Sequence, residues 1–430
     1  MKYASPRGTR DILPEEIALW QEIEKTCQEI CLLYNYKEIR TPIFESTELF
    51  SRSIGKTTDI VSKEMYTFTD RGDRSLTLRP EETAPVVRAA LENNLIQRDQ
   101  LLKLYYFGPM FRYERPQAGR YRQFYQAGVE AFGSADPKID VEIIQMAWQI
   151  FEKLGLLDLE VDINSVGDEK CRPQYVEKLK AYFKDQEKAL CEDCRIRLQV
   201  NPLRILDCKE AGCQKIIDKA PASADNLCSE CKGHFEEVVT LLRQGSGGQG
   251  WLGRSGIKYK VNHRLVRGLD YYTRTTFEVV SKQLGAQNAV CGGGRYDTLV
   301  EELGGKATPA VGFAIGMDRL VEVIKNSEFG MRSAELGIYI AILGEEAKKK
   351  GFEILIELRR MGISADMDYI GKSLKAQLKA ADQSKARFTL ILGEEEIKTG
   401  MAKLKNMQTT EQEEVPCDAR TIAAKLQSPK

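Results

Sequence analysis

Apolar residues recur at helical spacing close to the start of the chain. Within residues 14–35 they fall three or four positions apart, and Pro14 suits the first turn of a helix. The positions that form this stripe are Ile17, Trp20, Ile23, Cys27, Ile30 and Cys31. The pattern predicts an amphipathic helix over 14–35, and a second helix is predicted over 140–155.

Other segments have the character of extended chain. Residues 36–44 are strand-like, but Pro42 cannot donate to a sheet, so this stretch is predicted to be an edge or interface segment. Residues 101–133 are extended and dense in aromatic and arginine side chains, and strand-rich sequence returns over 258–325.

The last part of the chain alternates between strands and helices. Strands are predicted at 336–343, 363–369 and 387–393, with helices near 345–361 and 372–384. This alternation is typical of a small α/β domain.

The middle of the chain differs from both ends. It combines Lys/Glu-rich helical stretches, a cysteine cluster and a glycine-rich connector at 245–250. We therefore predict a single catalytic domain with an inserted helical module, followed by a C-terminal α/β domain. The predicted boundaries are 1–164 with 251–325 for the catalytic domain, 165–250 for the inserted module and 334–430 for the last domain.

Composition narrows the functional classes. Hydrophobic residues make up 42% and charged residues 29%, and 63 Lys+Arg balance 63 Asp+Glu, which is ordinary for a globular protein. No apolar run approaches the ~20 residues of a membrane span, and residues 1–8 lack a signal-peptide core. With only two histidines, a multi-histidine metal centre is excluded. We expect a cytoplasmic enzyme with no membrane association.

The cysteines pose a separate question. Six of the eleven lie in the inserted module, at Cys191, Cys194, Cys208, Cys213, Cys228 and Cys231. Two CxxC pairs resemble a zinc knuckle, and four of the six thiols could close a structural site. Free buried thiols are the alternative. Between them, we favour free thiols and predict no metal ligands, with structural zinc kept as the second hypothesis.

The densest chemical signal is the segment 111–126. Four arginines and one glutamate lie between Arg112 and Arg122, and Pro116 and Gly119 mark a turn between two extended arms. Arg112, Glu114, Phe124 and Gln126 could then share one face of a hairpin. Arginine forks suit phosphate and an aromatic face stacks a base, although a solvated charged hairpin is the plainer interpretation.

Three more segments, 265–278, 291–297 and 310–320, combine glycines with charged residues. Each one alone is more often structural than functional, because isolated motifs mislead. Together with the arginine hairpin they resemble a bacterial-type histidyl-tRNA synthetase, a class II aminoacyl-tRNA synthetase. The Pro42 segment resembles the family's first motif, a dimer element, and residues 316–319 resemble the third. Residues 265–278 and 293–297 resemble the histidine-specific signatures, and residues 78–84 the amino-acid-binding loop.

The resemblance implies an α+β fold, with a class II synthetase catalytic domain (an antiparallel sheet flanked by helices), an inserted helical module and a C-terminal α/β anticodon-binding domain. It also implies an ATP-dependent histidine–tRNA ligase that forms a histidyl-adenylate, with Mg²⁺ accompanying ATP. The ATP-binding residues would be Arg112, Glu114, Phe124 and Arg319. The catalytic residues would be Arg267 and Arg112. The histidine-binding residues would be Glu81, Thr83, Gln126, Glu130, Arg267, Tyr271, Tyr272 and Tyr296. Arg120 and Arg122 would contact tRNA(His), the last domain would bind its anticodon, and the enzyme would be a homodimer.

Two rival functions were weighed against this one. A non-catalytic synthetase paralogue, acting as a regulatory subunit of ATP phosphoribosyltransferase, would lack the anticodon module and the ATP residues. A zinc-ribbon nucleic-acid-binding protein would leave residues 1–160 and 258–325 unexplained. Glu82 and Asp318 depart from the family pattern. The geometry around these two residues is therefore expected to differ from that of the family.

Overall fold

The computed structural model describes residues 3–55, 58–98, 100–116, 119–156, 158–245, 256–281, 288–325 and 336–427. The chain divides into two compact units, Met1–Gly330 and Met331–Lys430. Each is described by itself. No helix within the described residues is long and apolar enough to cross a membrane.

The first unit mixes strands and helices along its whole length. Its strands are β1 (Lys37–Glu38), β2 (Phe44–Ser46), β3 (Tyr66–Thr69), β4 (Ser75–Leu78), β5 (Leu102–Phe111), β6 (Gln123–Phe132), β7 (Leu159–Ser165), β8 (Tyr259–Val261), β9 (Thr273–Ser281), β10 (Ala289–Arg295) and β11 (Ala310–Gly316). Its α-helices are α1 (Pro14–Leu33), α2 (Thr47–Ser53), α3 (Thr83–Glu92), α4 (Pro137–Lys153), α5 (Arg172–Asp185), α6 (Glu192–Val200), α7 (Ala211–Ile217), α8 (Ser229–Gly245), α9 (Leu299–Glu302) and α10 (Met317–Lys325). Shorter helical turns lie at Ile60–Glu64, Glu187–Ala189, Pro202–Asp207 and Ala224–Asn226.

An eight-stranded sheet organises this unit, in the order β1-β5-β6-β11-β10-β9-β7-β8. The pairs are antiparallel except β1 with β5 and β7 with β8. The longest pair, β5 with β6, runs from Leu102 opposite Phe132 to Phe111 opposite Gln123. This confirms the extended hairpin expected over 101–133. The two-residue β1 lies at the sheet edge, as expected for the segment before Pro42.

Two helices cover one face of the sheet. The predicted helices at 14–35 and 140–155 are α1 and α4, and both enter the main core with Trp20, Ile23, Ile144 and Phe151 buried. Asp136 starts α4 by accepting a hydrogen bond from the Lys138 amide at 2.9 Å. A separate three-stranded sheet has the order β2-β4-β3.

The chain leaves the large sheet after β7 and returns at β8. The helices α5 to α8 lie between these strands in sequence, and they contribute Leu179, Phe183, Cys194 and Leu198 to a second core cluster. Most of the glycine-rich connector predicted at 245–250 lies outside the described residues.

The second unit is an α/β fold. Its strands are β12 (Ile338–Ile342), β13 (Ala365–Met367), β14 (Phe388–Leu392), β15 (Met401–Asn406) and β16 (Gln412–Pro416), and its helices are α11 (Glu345–Arg360), α12 (Leu374–Gln383), α13 (Glu394–Thr399) and α14 (Ala419–Gln427). The strand order is β13-β12-β14-β15-β16, parallel among the first three. The three predicted strands and two predicted helices are therefore confirmed. The antiparallel pair β15–β16 and the helices α13 and α14 were not predicted.

Candidate active site

A buried carboxyl group lies at the centre of the large sheet. Glu130 on β6 is opposite Gly312 on β11, where any Cβ would collide with the Glu130 carboxyl group. The Glu130 side chain is 1% exposed. It accepts hydrogen bonds from the Thr83 hydroxyl at 2.8 Å and from the Tyr296 hydroxyl. The glycine in β11 thus makes room for a functional group inside a sheet.

Burial raises the pKa of Glu130 to about 8, although hydrogen bonds from Tyr296 and Thr83 oppose the shift. The carboxyl group is therefore mostly protonated at pH 7. It can donate one hydrogen bond and accept others, which suits a ligand with both donors and acceptors.

A second carboxylate lies beside it at the start of α3. Glu81 accepts hydrogen bonds from the amides of Thr83 at 2.7 Å and Ala84 at 3.1 Å. Burial raises its pKa. The Tyr271 hydroxyl lies 3.5 Å from Glu81, and the Tyr271 ring is 4.9 Å from that of Tyr272 and 5.6 Å from that of Tyr296.

One polar group here lacks a protein partner. The side-chain oxygen of Gln126 is buried and forms no hydrogen bond. Gln126 is four residues before Glu130 on β6, so both side chains lie on the same face. We call this group the glutamate pocket; its members are Glu81, Thr83, Gln126, Glu130, Tyr271, Tyr272 and Tyr296. An unsatisfied acceptor beside two carboxyl groups fits a cationic ligand group.

Arg267 borders the glutamate pocket. Its guanidinium pairs with Glu278 of β9 and lies against Gly292 of β10, where a Cβ would collide with it. Tyr272 lies close enough for the Arg267 charge to act on its hydroxyl. The Arg267 Nε is buried without a partner. The first of the three consecutive glycines therefore provides space for this arginine.

A group of cations lies at the mouth of the β5–β6 hairpin. The Arg112 guanidinium is 5.3 Å from the Phe124 ring centroid, and its Nε donates to the Pro80 carbonyl at 2.8 Å. Glu114 lies 2.8 Å from Arg120 and 3.9 Å from Arg112. The predicted shared face is thus observed for Arg112, Glu114 and Phe124.

Arg319 at the start of α10 completes this group, which we call the arginine cluster (Arg112, Glu114, Arg120, Phe124 and Arg319). Its Nη1 donates to the Ala289 carbonyl at 2.7 Å. Burial, followed by the charges of Arg120 and Arg112, lowers its pKa to about 10. Three arginines whose positive charges lie close together fit a polyanionic ligand.

Arg122 faces away from the arginine cluster. Its guanidinium stacks on Tyr113 at 3.6 Å, and its amide donates to the Gly8 carbonyl at 2.7 Å. The two arginines assigned to tRNA therefore have different environments, because Arg120 pairs with the Glu114 carboxylate, whereas the Arg122 Nε donates to the Glu114 backbone carbonyl at 3.4 Å.

Sequence reasoning missed Glu278. Its carboxylate pairs with Arg267 and its charge also acts on Arg319. It therefore links the glutamate pocket to the arginine cluster. The signal was present, since a charged residue within the otherwise largely buried strand β9 needs a partner.

The two departures from the family pattern have structural partners. Glu82 pairs with Arg79 at 2.8 Å and accepts from the Thr41 hydroxyl at 2.7 Å. Asp318 accepts from the Tyr125 amide at 2.9 Å and pairs with Arg10 at 3.2 Å. Both carboxylates thus anchor neighbouring segments.

Comparisons with known proteins agree with this arrangement. The histidyl-tRNA synthetase family model matches residues 8–320, and the anticodon binding domain model matches residues 337–421. A histidine–tRNA ligase of Desulforamulus reducens is 52% identical over 95% of this chain and 96% of its own length. The apo histidyl-tRNA synthetase structure of S. aureus is 40% identical, with a TM-score of 0.78 over 98% of this chain and 99% of its own.

A more distant structure shares the fold alone. A Bacillus halodurans protein described as an ATP phosphoribosyltransferase regulatory subunit/histidyl-tRNA synthetase is 22% identical, with a TM-score of 0.63 over 91% of this chain and 99% of its own. The family match covers more than two-thirds of the chain, and the curated relative is similar over nearly its full length. The chain belongs to the histidyl-tRNA synthetase family.

Proposed function

We propose that the glutamate pocket binds L-histidine and the arginine cluster binds ATP. As a histidine–tRNA ligase, the protein attaches L-histidine to tRNA(His) in an ATP-dependent reaction through a histidyl-adenylate. The observation that carries the assignment of the two pockets is the buried Glu130, set among hydroxyl groups and next to an unsatisfied Gln126.

The substrate's groups match the glutamate pocket. Its ammonium group needs acceptors, which Glu81, the Thr83 hydroxyl and Gln126 provide. Its imidazole has one donor and one acceptor nitrogen, which Glu130 and Tyr272 satisfy, with Tyr271 and Tyr296 enclosing the ring. A pocket that depends on such hydrogen bonds rejects analogues lacking them by ~10⁴-fold or more, so no editing domain is needed.

The arginine cluster would hold the nucleotide. Arg112 binds the α-phosphate, Arg319 the γ-phosphate, and Phe124 stacks on the adenine, with Glu114 as a further contact. Mg²⁺ would be held by the phosphates together with the carboxylates of Glu114 and Glu278, whose oxygen donors fit a hard cation. When bound, it neutralises phosphate charge.

Activation needs no general base. The histidine carboxylate is already ionised at pH 7. One of its oxygens attacks the α-phosphorus, the bond to the β-phosphate bridging oxygen breaks, and diphosphate leaves. The protein's contribution is alignment and charge stabilisation. Arg267 contacts both the substrate carboxylate and the α-phosphate, and Glu278 holds it in place.

Transfer to tRNA uses other parts of the chain. The adenylate passes to the terminal ribose of tRNA(His), and Arg120 and Arg122 meet the acceptor stem. The second unit, which matches the anticodon binding domain model, binds the anticodon. We place this activity in the cytoplasm.

Amino-acid specificity is tested by ATP–diphosphate exchange with each of the twenty amino acids. Histidine alone should support exchange, because only its side chain pairs with both Glu130 and Tyr272. Equal exchange with another amino acid would contradict the assigned pocket.

The regulatory-subunit alternative has less support. The ATP residues Arg112 and Arg319 and the anticodon domain match are all present. The likeness to the Bacillus halodurans protein is one of fold.

A homodimer is also proposed. Ile43 and Phe44, next to Pro42, are 46% and 50% exposed, and Phe44 contacts the 43% exposed Phe68 edge to face. A contiguous apolar patch of this kind marks a protein interface. Light scattering should give twice the chain mass of 48.6 kDa, and Phe44→Asp should shift the mass towards one chain.

A further inference from the structure

Seven of the eleven cysteines form two compact groups with one aspartate. The first group is Cys191, Cys194, Cys208 and Cys213, and the second is Asp168, Cys171, Cys228 and Cys231. In each group the four potential ligand atoms lie within 4.8 Å of one another. The remaining cysteines, Cys27, Cys31, Cys291 and Cys417, belong to neither group.

The first group has the dimensions of a tetrahedral thiolate site. Zinc–sulfur bonds of about 2.3 Å place the sulfurs about 3.8 Å apart. The sulfurs of Cys191 and Cys208 are 3.8 Å apart, and the Cys191 amide donates to the Cys213 sulfur at 3.2 Å. Cys194, Cys208 and Cys213 are at most 5% exposed. The site is therefore closed, as structural zinc sites are.

Neither disulfides nor ordinary core packing explains this convergence. All four cysteines are free, and a sulfur separation of 3.8 Å far exceeds the ~2.05 Å of a disulfide bond. Packing alone requires contact between apolar side chains of any type. It does not require four sulfurs to point at one centre.

The second group joins the inserted module to the catalytic sheet. Asp168 and Cys171 follow β7, whereas Cys228 immediately precedes α8 and Cys231 lies in its first turn. The Asp168 Oδ1 lies 3.6 Å from the Cys171 sulfur and 4.0 Å from the Cys228 sulfur, and the Cys231 amide donates to the Cys228 sulfur at 3.5 Å.

The aspartate of this group is held in place from outside. Arg274 lies 3.4 Å from the other Asp168 oxygen. Such outer contacts orient metal ligands. Three sulfurs and an oriented carboxylate form an independent four-ligand site.

We propose that the inserted module binds two Zn²⁺ ions, one at the four cysteines and one at Asp168 with its three cysteines. On binding, each thiol ligand loses its proton to solvent and no electrons are transferred. Sequence reasoning favoured free thiols and considered only the six cysteines from Cys191 to Cys231, without Asp168 or Cys171.

The module's small elements explain what the ions would contribute. α6 and α7 have 9 and 7 residues, and such short helices need tertiary support. Zn²⁺ at the first group would join α6, the turn Pro202–Asp207 and α7 into one unit. If the proposed function holds, this also fixes Arg204, whose Nη1 donates to the Arg267 carbonyl at 3.3 Å.

The proposal is tested by elemental analysis of the full-length protein expressed with zinc and without a metal-binding tag. We expect two zinc per chain and no iron. Cys208→Ser and Cys228→Ser should each lose one equivalent. The matched control Cys417→Ser, at a half-buried cysteine outside both groups, should keep two.

A variant could also lose zinc because it misfolds, so a second measurement uses the unmodified protein. Titration with an organomercurial should release two zinc per chain as the seven grouped thiols react. Both sites would be overturned if the protein contained neither zinc nor iron and if all its thiols reacted after it was unfolded in the absence of reductant, because the cysteines would then be free. Two zinc equivalents retained by one of the two variants would overturn the site that this variant alters. Iron with visible charge-transfer absorption would overturn the choice of zinc, since sulfur sites also hold iron–sulfur clusters.

Discussion

The geometry around Arg267 suits a guanidinium better than an ammonium group. It pairs with Glu278, not with Asp270, and lies where Gly292 leaves space. A planar fork of donors can bind two anions at once, whereas an ammonium group is a point charge. The interaction should strengthen as charge develops on the phosphoryl oxygens, so its loss should affect the activation rate more than histidine binding.

We predict that Arg267→Ala slows adenylate formation by about 10²–10³-fold, by analogy with the loss of one oxyanion donor. Arg267→Lys should restore little activity. Pre-steady-state adenylate formation measures both, and melting temperatures show whether each variant is folded. A folded Arg267→Ala protein within a few-fold of the wild-type rate would refute this role.

Glu130 makes stability depend on pH. Its pKa in the folded protein is raised from 4.5 to about 8 by burial. The folded state therefore binds this proton more tightly than the unfolded chain does. The resulting stabilisation is complete below about pH 4.5 and is lost as the pH rises through about 8.

The melting temperature of the ligand-free protein should accordingly fall between pH 6 and pH 9. Glu130→Gln should give a shallower decline, whereas Glu301→Gln, at an exposed glutamate, should follow the wild type. Calorimetry across this range provides the comparison. Parallel curves for wild type and Glu130→Gln would show that Glu130 does not titrate as stated.

Residue types in a motif predicted the members of the candidate site, but not all of their partners. The glutamate pocket and most of the arginine cluster consist of residues that the sequence singled out. The role of Glu278 was missed, and so was the space that Gly292 and Gly312 leave by having no side chain. Both depend on the register of β9, β10 and β11. Strand register arises from pairing between distant segments and is not visible in a local pattern.

At the scale of elements, the turn Pro202–Asp207 and the residue before it contact the segment that carries Arg267 and Asp270. Asn201 donates to Asp270 at 2.8 Å, and Arg204 contacts the carbonyl of Arg267. Gly268 allows this approach, because a Cβ there would be 2.9 Å from the Arg204 Nη1. The inserted module thus touches the loop that carries the proposed catalytic arginine.

We predict that Arg204→Ala raises the KM for histidine by about tenfold, with a smaller effect on kcat. A tenfold change corresponds to the free energy that one such hydrogen bond contributes. Arg197→Ala is the matched control, since Arg197 also pairs with Asp59 but donates to the Arg204 carbonyl and not to the segment that carries Arg267. Exchange kinetics at varied histidine concentration measure both. Equal KM values for the two variants would assign the effect to the module's general stability.

Helices and strands with a strongly periodic apolar pattern were predicted well. Elements that depend on tertiary contacts with distant parts of the chain were not. α1 and α4 carry long apolar stripes that local sequence reveals. β15 and β16 are largely polar strands, with Lys403 and Lys405 facing Glu414 and Gln412 in the pairing, and their alternation is weak. The position of β15 in the sheet follows from its pairing with β14, and that of β16 from its pairing with β15.

For the whole molecule, the two units divide the proposed tasks. Every residue assigned to histidine or ATP lies in Met1–Gly330, and the anticodon domain match lies in Met331–Lys430. Each unit has its own buried core, so the first should fold without the second.

Truncation after residue 330 should therefore leave ATP–diphosphate exchange largely intact and greatly reduce tRNA charging. The two assays, run on the same preparation, separate the steps. Undiminished charging by the truncated protein would remove the anticodon role from the second unit.

The strand order of the large sheet has a consequence during synthesis. β6 pairs with β11, and Ala310 leaves the ribosome 178 residues (310 − 132) after its partner Phe132. At about 5–20 residues per second, the nascent hairpin waits about 9–36 s with one edge unpaired. A chain interrupted before Ala310 also lacks Gly312, which faces Glu130. No translation product that ends before Ala310 could therefore assemble the glutamate pocket, and the hairpin's open edge is the point at which such products would aggregate.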